Sequence, residues 1–361
     1  MIKQFVGLFI IDIQWSLSYT PSHEKQVLNR KPGQAEVALV LDTHLPAVGI
    51  RERAHMSASL VSVVIPARNE ELCIARCLAS VLGQDFPRDQ MEVVVVDNGS
   101  TDATSSIAGQ FSVRVVEESR LGIAKARNAG IRAARGEIVA FLDADCVANP
   151  DWLRELLSGS DDEKIGCFLG DILPMPGGGL ISDFVHDRHL ISQKVLLSSS
   201  PPVAAGANMA YRKSVFEEIG YFDETFVEGE DGDLFWRLVK SDRFHFRFQQ
   251  HAVVFHPPQS SLSVLLRRTR LEGRGVARFR LKHRNDIPEH MTSMSRYTIV
   301  LILTLGGCIK YFLNVWRERK YGRGFARSFA YPFLDKAYSI AFVAGVLCEL
   351  AQGWRRGKEQ N

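Results

Sequence analysis

The sequence predicts an α/β protein built on a mostly parallel sheet flanked by helices, and three observations carry that expectation. From residue 60 onward, short runs rich in valine and isoleucine alternate with segments of helical apolar period, the pattern of strands covered on both faces by connecting helices. Three such strand and helix units precede "FLDADC" (141–146), where an apolar run ends in two aspartates separated by one small residue. The strands end in polar clusters, and in open α/β sheets ligands collect at the carboxyl ends of the strands.

"LVSVVIPARNE" reads as a strand ending at Pro66, and "ELCIARCLASVLGQ" as a helix with apolar residues at Leu72, Ala75, Leu78 and Leu82 and Gly83 near its end. "MEVVVVDNGSTD" is the second strand, with Ser100 or Thr101 as N-cap of the next helix. "VRVVEE" is a third strand, "GIAKARNAGIRAARG" a helix closed by Gly136, and "EIVAFLDAD" a fourth strand. Further on, "HAVVFHPP" is a strand ending at His256. Pro66 to Glu70, Asp97 to Asp102 and Asp143 to Asp145 all fall at strand ends, so they are expected to converge.

The ends of the chain differ from this middle. Residues 1–58 hold an apolar stretch too short to span a bilayer and then "SYTPSHEKQVLNRKPGQ", polar and without period. They are expected to be a poorly ordered or mis-assigned extension, with Met56 an alternative start. Beyond the α/β domain at 59–260, residues 261–361 read as a basic helical region with two apolar helices, at about 297–316 and 337–354. From Ser263 to Lys358 there are 19 Lys and Arg against 6 Asp and Glu, although the whole chain is only +3. Basic flanks on every side, with Trp316 and Trp354 near the run ends, suit helices lying on or embedded in an anionic cytoplasmic leaflet. Two helices packed on the catalytic domain are the alternative.

Composition sets further limits. An apolar fraction of 46% and a charged fraction of 24% belong to a chain that can bury a core. "VVIPARNE" lacks the GxGxxG of a dinucleotide-binding turn, and no nucleic-acid motif accompanies the basic tail, so no nucleic-acid partner is expected. The six cysteines show no CxxC pair; Cys73 and Cys77, one helical turn apart, read as core more readily than as metal ligands. Asp143 and Asp145 are the sharpest signal. Two carboxylates so close repel each other and resist burial unless a cation lies between them; a helix-capping Asp before "ANPDW" is the structural alternative.

The stretches "VSVVIPARNE", "VVVVDNGSTDAT", "GIAKARNAGIRAARGEIVAFLDADC" and "GANMAYRKSVFEEIGYFDETFVEGEDGDLFWRL" together resemble an inverting family 2 glycosyltransferase of GT-A fold, over about residues 60 to 257. The resemblance implies transfer of a sugar from a nucleoside-diphosphate sugar to a saccharide, lipid or polyprenyl-phosphate acceptor, with Mg2+ or Mn2+ as cofactor. It implies Asp145 as principal metal ligand, Asp143 as its helper at ribose or metal-bound water, and His256 as a further ligand. Asp97 would accept a hydrogen bond from the base, with Pro66, Ala67 and Glu70 lining the same pocket and Arg127 contacting the nucleotide. Gly206, Ala207 and Asn208 would shape the donor and acceptor side, and Asp231 would be the base, with Glu230 beside it. A carboxylate suits that task, because the attacking hydroxyl must lose its proton. Asp233 and Arg237 read as an i,i+4 ion pair. A catalytically silent binding module and a nucleotidylyltransferase are the competing readings; the first is at odds with four retained acids, the second with the missing Gly-rich basic loop.

Overall fold

Strand β1 (Val61–Ala67) is buried along its whole length, and its side chains alternate between two cores. Val61, Val63, Ile65 and Ala67 face one cluster with helix α1 (Ile74–Leu82); Val64 faces the other with helix α3 (Ile123–Ala133). A strand covered on both faces has no solvent side to mark with polar residues, which is why these runs read as continuous valine and isoleucine. The computed structural model describes residues 60–286, apart from Pro176, Gly178, Ser200 and 258–260, together with one helix, Phe325–Glu359. The N-terminal extension and the apolar run 297–316 lie outside the described residues.

The remaining elements follow in order: β2 (Met91–Asp97), α2 (Thr104–Ala108), α3, β4 (Ile138–Leu142) after β3 (Arg114–Glu117), β5 (Val147–Ala148), α4 (Trp152–Leu156) and β6 (Ile165–Pro174). Then come α5 (Gly179–Asp187), α6 (Gln193–Leu197), β7 (Asn208–Arg212), α7 (Lys213–Ile219), α8 (Glu230–Val239), β8 (His245–His256), α9 (Leu262–Lys282) and α10 (Phe325–Glu359). They build one eight-stranded sheet ordered β3-β2-β1-β4-β7-β6-β8-β5. The first four strands are parallel as expected, but β7 runs antiparallel to both β4 and β6, so the sheet is mixed. In register, Ala67 stands opposite Asp97, and Val64 opposite Phe141. The carboxyl ends of β1, β2 and β4 therefore open along one edge.

Three local expectations change. The buried stripe of α1 is Ile74, Cys77, Leu78 and Val81, while Leu72 is 91% exposed and Ala75 is exposed. The helix starts at Ile74, so Leu72 lies in the preceding turn and the stripe is rotated. Ser100 and Thr101 do not cap α2, whose first residue is Thr104; they bind the other loop, through Asn69 N–H to Ser100 Oγ (3.1 Å) and Thr101 N–H to Asn69 Oδ1 (2.8 Å). Helix α3 ends at Ala133 because Ala134 is extended, and Gly136 instead donates its N–H to Ser62 Oγ on β1 at 2.8 Å.

The C-terminal run 337–354 belongs to α10, which packs along α9. A Cβ on Gly273 would fall 2.1 Å from the Phe342 carbonyl oxygen, so the two backbones touch where only glycine fits. Buried charges fasten the same helix: Arg188 donates to both Asp335 oxygens (3.0 and 2.7 Å) with Phe184 and Tyr331 against its guanidinium, and Arg274 reaches Glu349 at 3.1 Å. Among the described residues no helix is long and apolar enough to cross a membrane.

Candidate active site

The loops after β1 and β2 are laced together before any side chain faces the cleft. Glu70 N–H donates to Thr104 Oγ1 (2.7 Å), Glu71 N–H to Asp102 Oδ2 (3.2 Å), and Ala103 N–H to Glu71 Oε2 (3.1 Å). Pro66 and Ala67 are the last residues of β1 and are buried. Asp97, 8% exposed at the end of β2, accepts the Ser100 N–H at Oδ1 (3.0 Å), and Oδ2 has no hydrogen-bond partner among the described residues. Asn98 joins the loop after β2 to the loop after β3, donating to the Glu118 and Arg120 carbonyls and accepting the Gly122 N–H.

Where β4 ends, the chain turns through Asp143 and Asp145, and the Cys146 N–H bonded to the Asp143 carbonyl (3.0 Å) fixes that turn. Asp145 then faces His256, the last residue of β8, with Oδ2 3.7 Å from Nε2. Nδ1 of His256 lies 2.9 Å from the Pro257 carbonyl oxygen. A carbonyl only accepts, so Nδ1 carries a proton, and Nε2, with Arg268 Nη1 at 3.4 Å and Asp145 Oδ2 at 3.7 Å, is the nitrogen left for a metal. Nε2 and the Asp145 carboxylate together are a site for a cation, and the residues present fit one. Cys146 completes the group: its Sγ, an Asp145 oxygen and a His256 nitrogen all lie within 4.8 Å of one another. Cys73 and Cys77 are not part of this cluster; Cys77 is fully buried in the core, as expected of it.

Negative charge is concentrated around that cluster. Glu70, half-buried, is pushed up to about 7, by burial first and then by Asp145, against the pull of Arg268, with Asp143 and Asp102 adding to the rise. Glu228 keeps contact with water yet is walled in by protein, and that enclosure, followed by Glu230, Asp231 and Glu272, lifts it to about 8. Arg268, on α9, is the cation that answers these acids, and its Nη1 stands 3.4 Å from His256 Nε2. Sequence reasoning missed Arg268, one of many basic residues in "LLRRTRLEGRG"; its one distinguishing signal is its closeness in sequence to His256.

Arg127 departs from its expected place beside the phosphates. It is 3% exposed and its two Nη groups are taken by carboxylates, Nη1 by Glu230 in a short ion pair and Nη2 by Asp143 Oδ1 at 3.2 Å. Burial alone would lower its pKa, but Glu230, Asp143 and Asp231 outweigh it and hold the guanidinium charged. Gly206 covers it: a Cβ there would lie 2.2 Å from Arg127 Nη2. A guanidinium so enclosed orients the carboxylates of Glu230 and Asp143.

The same arrangement separates the two candidate bases. Glu230, the first residue of α8, is 3% exposed; burial raises its pKa and the Arg127 guanidinium in contact with it pulls the other way. Asp231 is half-buried, and each of its oxygens accepts one backbone N–H, Oδ2 from Gly206 (2.7 Å) and Oδ1 from Gly232 (2.8 Å). Its pKa is raised by burial first, with Arg127 and the two N–H groups opposing. Each Asp231 oxygen retains a lone pair, whereas Glu230 is committed to Arg127.

Asn208 is a correction. It was expected on the acceptor side, but it is fully buried in β7: Oδ1 accepts Trp152 Nε1 (2.8 Å), and Nδ2 donates to the Asp171 and Ala252 carbonyls, both at 2.8 Å. With both donors used it ties α4, β6 and β8 together. Ala207 is buried beside it, so of the three residues only Gly206 meets the site, through its N–H. The pair Asp233 and Arg237 is present at 3.0 Å.

Residues 62–220 match the family described as Glycosyl transferase family 2. Glycosyltransferase AglE of Haloferax volcanii is 33% identical over 225 residues, which are 60% of this chain and 72% of that protein. The pre-mycofactocin glycosyltransferase of Mycobacterium tuberculosis is 27% identical over 256 residues, 68% of this chain and 53% of that protein, so the chain spans about half the length of this second relative. Among solved structures, mannosyltransferase PcManGT from Pyrobaculum calidifontis, in complex with GDP-Man and Mn2+, superposes with a TM-score of 0.61 at 18% identity, covering 95% of this chain and 97% of that one, a likeness of fold. The mixed sheet, the acids gathered at its strand ends and these matches agree: the chain belongs to glycosyl transferase family 2, as a GT-A-fold glycosyltransferase acting on nucleotide-sugar donors.

Proposed function

We propose that the enzyme transfers its sugar by single displacement with inversion, with Asp231 as the base. The observation that carries this reading is the contrast between Asp231, held by the Gly206 and Gly232 N–H groups with lone pairs to spare, and Glu230, locked to Arg127. A fixed carboxylate within reach of an acceptor hydroxyl removes its proton as the anomeric bond forms. Asp97 accepts a hydrogen bond from the nucleotide base at Oδ2, and the laced loops carrying Glu70 keep that pocket's wall in place.

Mg2+ or Mn2+ is held by Asp145 and His256, with Asp143 beside them. His256 Nε2 beside Asp145 supports this, and the archaeal protein of the same fold was solved with GDP-Man and Mn2+. Bound there, the ion neutralises charge on the departing diphosphate. Arg268 adds a guanidinium on the same side, suited to phosphate oxygens. The acceptor is a saccharide, lipid or polyprenyl phosphate in cell-surface glycan or glycolipid synthesis at the cytoplasmic face of a membrane. That placement draws on the basic C-terminal third and on Phe333, Ile340 and Leu347, exposed on α10 at seven-residue spacing.

Asp231→Asn tests the assignment, since an amide of equal size cannot take the proton. Transfer is expected to fall about 10²- to 10⁴-fold, while stabilisation of the fold by a nucleoside diphosphate persists. Near-normal transfer by the variant would return the role to another group.

A further inference from the structure

We propose that Cys146 is a third donor at the Asp145 and His256 site, so that the same cluster takes a thiophilic divalent cation such as Zn2+ or Cd2+ in a three-donor form alternative to the Mg2+ or Mn2+ form. The proposal rests on the reading of Asp145 and His256 as metal ligands and deepens it. Three kinds of atom, a carboxylate oxygen, an imidazole nitrogen and a thiol sulfur, come within 4.8 Å of one another. Cys146 directly follows Asp145, and its Sγ is 3.6 Å from Asp145 Oδ1. The side chain is fully buried, so no solvent competes for the sulfur. His256 is oriented from behind by the Pro257 carbonyl, the support that metal-bound imidazoles usually have.

The donor set decides the preference. An all-oxygen or oxygen-and-imidazole site suits Mg2+ and Mn2+, whereas adding a thiolate favours Zn2+ and its heavier relatives. Three protein donors plus one open position is also a common arrangement for zinc. Coordination is a proton exchange with no change of oxidation state: the thiol loses its proton to solvent, the sulfur forms a bond to the cation, and the site gains one positive charge. A hard ion held at Asp145 and His256 leaves the thiol intact. A thiophilic ion draws the sulfur in and does not require the nucleotide, so it competes with the working ion, and the enzyme is inhibited by it.

The test uses the full chain, freed of metal and without nucleotide, titrated with Co2+ as a spectroscopic substitute for Zn2+. A thiolate-to-cobalt charge-transfer band in the near ultraviolet is expected. It should vanish in Cys146→Ser and in Cys146→Ala and remain in Cys77→Ser, whose sulfur lies against the Asp143 carbonyl instead. Equilibrium dialysis should show Cd2+ affinity falling at least about 10-fold in the Cys146 variants with Mn2+ affinity unchanged. Co2+ binding by the unaltered chain without that band overturns the inference while leaving the hard-metal reading intact, and this outcome needs no variant. A band that survives in either Cys146 variant, or is lost in Cys77→Ser, also overturns it. If neither Co2+ nor Mn2+ binds in the presence or absence of a nucleoside diphosphate, the metal reading itself fails and this inference with it.

Discussion

Replacing Arg127 by methionine keeps an unbranched apolar stem but removes the guanidinium from between Glu230 and Asp143 and from over the Phe222 ring. The Arg127 and Glu230 side chains are only 4% and 3% exposed, so water screens their attraction little. Breaking a pair buried to that degree leaves an uncompensated charge and costs about 3–5 kcal/mol. Asp143 is 32% exposed and adds at most about 1 kcal/mol. The sum is a large part of the roughly 5–15 kcal/mol that a domain has to lose. Urea unfolding near neutral pH should record it. The pH dependence follows in sign: without Arg127 nothing opposes burial, and the folded Glu230 pKa rises further above its unfolded value. A carboxyl so raised destabilises above its unfolded pKa and ceases to do so as pH falls below it, so the deficit of the variant should shrink toward about pH 5. Adding Glu230→Gln, which removes the stranded charge, should recover most of the loss. A single variant that loses less than about 1 kcal/mol, or a double variant no better than the single, would refute the reasoning, because both outcomes contradict a buried unpaired carboxylate.

Asn208→Ala strands Trp152 Nε1 and two carbonyl oxygens and should lower stability by about 3 kcal/mol in thermal or urea unfolding; an unchanged fold with an altered KM for acceptor would restore the acceptor role. Glu70, pushed up to about 7 by burial and Asp145, destabilises the fold above its unfolded pKa. The melting temperature of metal-free protein should therefore fall as pH rises from about 5 to about 7.5, Glu70→Gln should flatten that fall, and Mn2+ should reduce it; a slope indifferent to both argues against charge crowding at the site. Vesicles containing anionic lipid should bind the full chain at low salt, with binding weakened as the Debye length drops below about 10 Å; a chain that ignores such vesicles at low salt has no membrane surface site.

Much of the fold and part of the site were legible because polar residues interrupt apolar runs at strand ends. Asp97, Asp143 and Asp145 stand out in sequence because they end or follow the buried strands β2 and β4, and His256 because it ends the apolar half of β8. Asp231 was named through the family resemblance alone, and the structure sets it at the start of α8. Arg127 was not legible, since a cation on an amphipathic helix looks the same whether water or a carboxylate lies beyond it. Its burial depends on Glu230, 103 residues later, and on the missing side chain of Gly206. Asn208 was misread for a similar reason, because its partners come from three separate elements. Cys146 carries no signal in the sequence, because only β8 brings His256 near it, and the stripe of α1 depended on a start point that only the laced loops define.

Composition sets the C-terminal third apart as a basic tail, yet its charges tie it to the catalytic unit. Asp233, two residues beyond Asp231 on α8, is fully buried and tolerates burial because Arg237 Nε (3.0 Å), Lys282 Nζ (2.8 Å) and His283 Nε2 (2.8 Å) surround it. Lys282 ends α9 and also reaches Asp223 at 2.8 Å. Toward the other end of the same helix, Arg268 stands beside His256. From Arg268 to Lys282 is 14 helical steps, about 21 Å at 1.5 Å per residue, so α9 bridges the metal candidate and the helix of the base as a single rigid element. Pulling it away would leave Asp233 with one partner in a place water does not reach, which a carboxylate resists. Helix α10 stiffens this strut by lying backbone to backbone on it at Gly273 and by pairing Glu349 with Arg274 and Arg278. Through Arg268 at His256 and Lys282 at Asp233, α9 therefore ties both ends of the candidate site to a segment that lies wholly outside the matched family region.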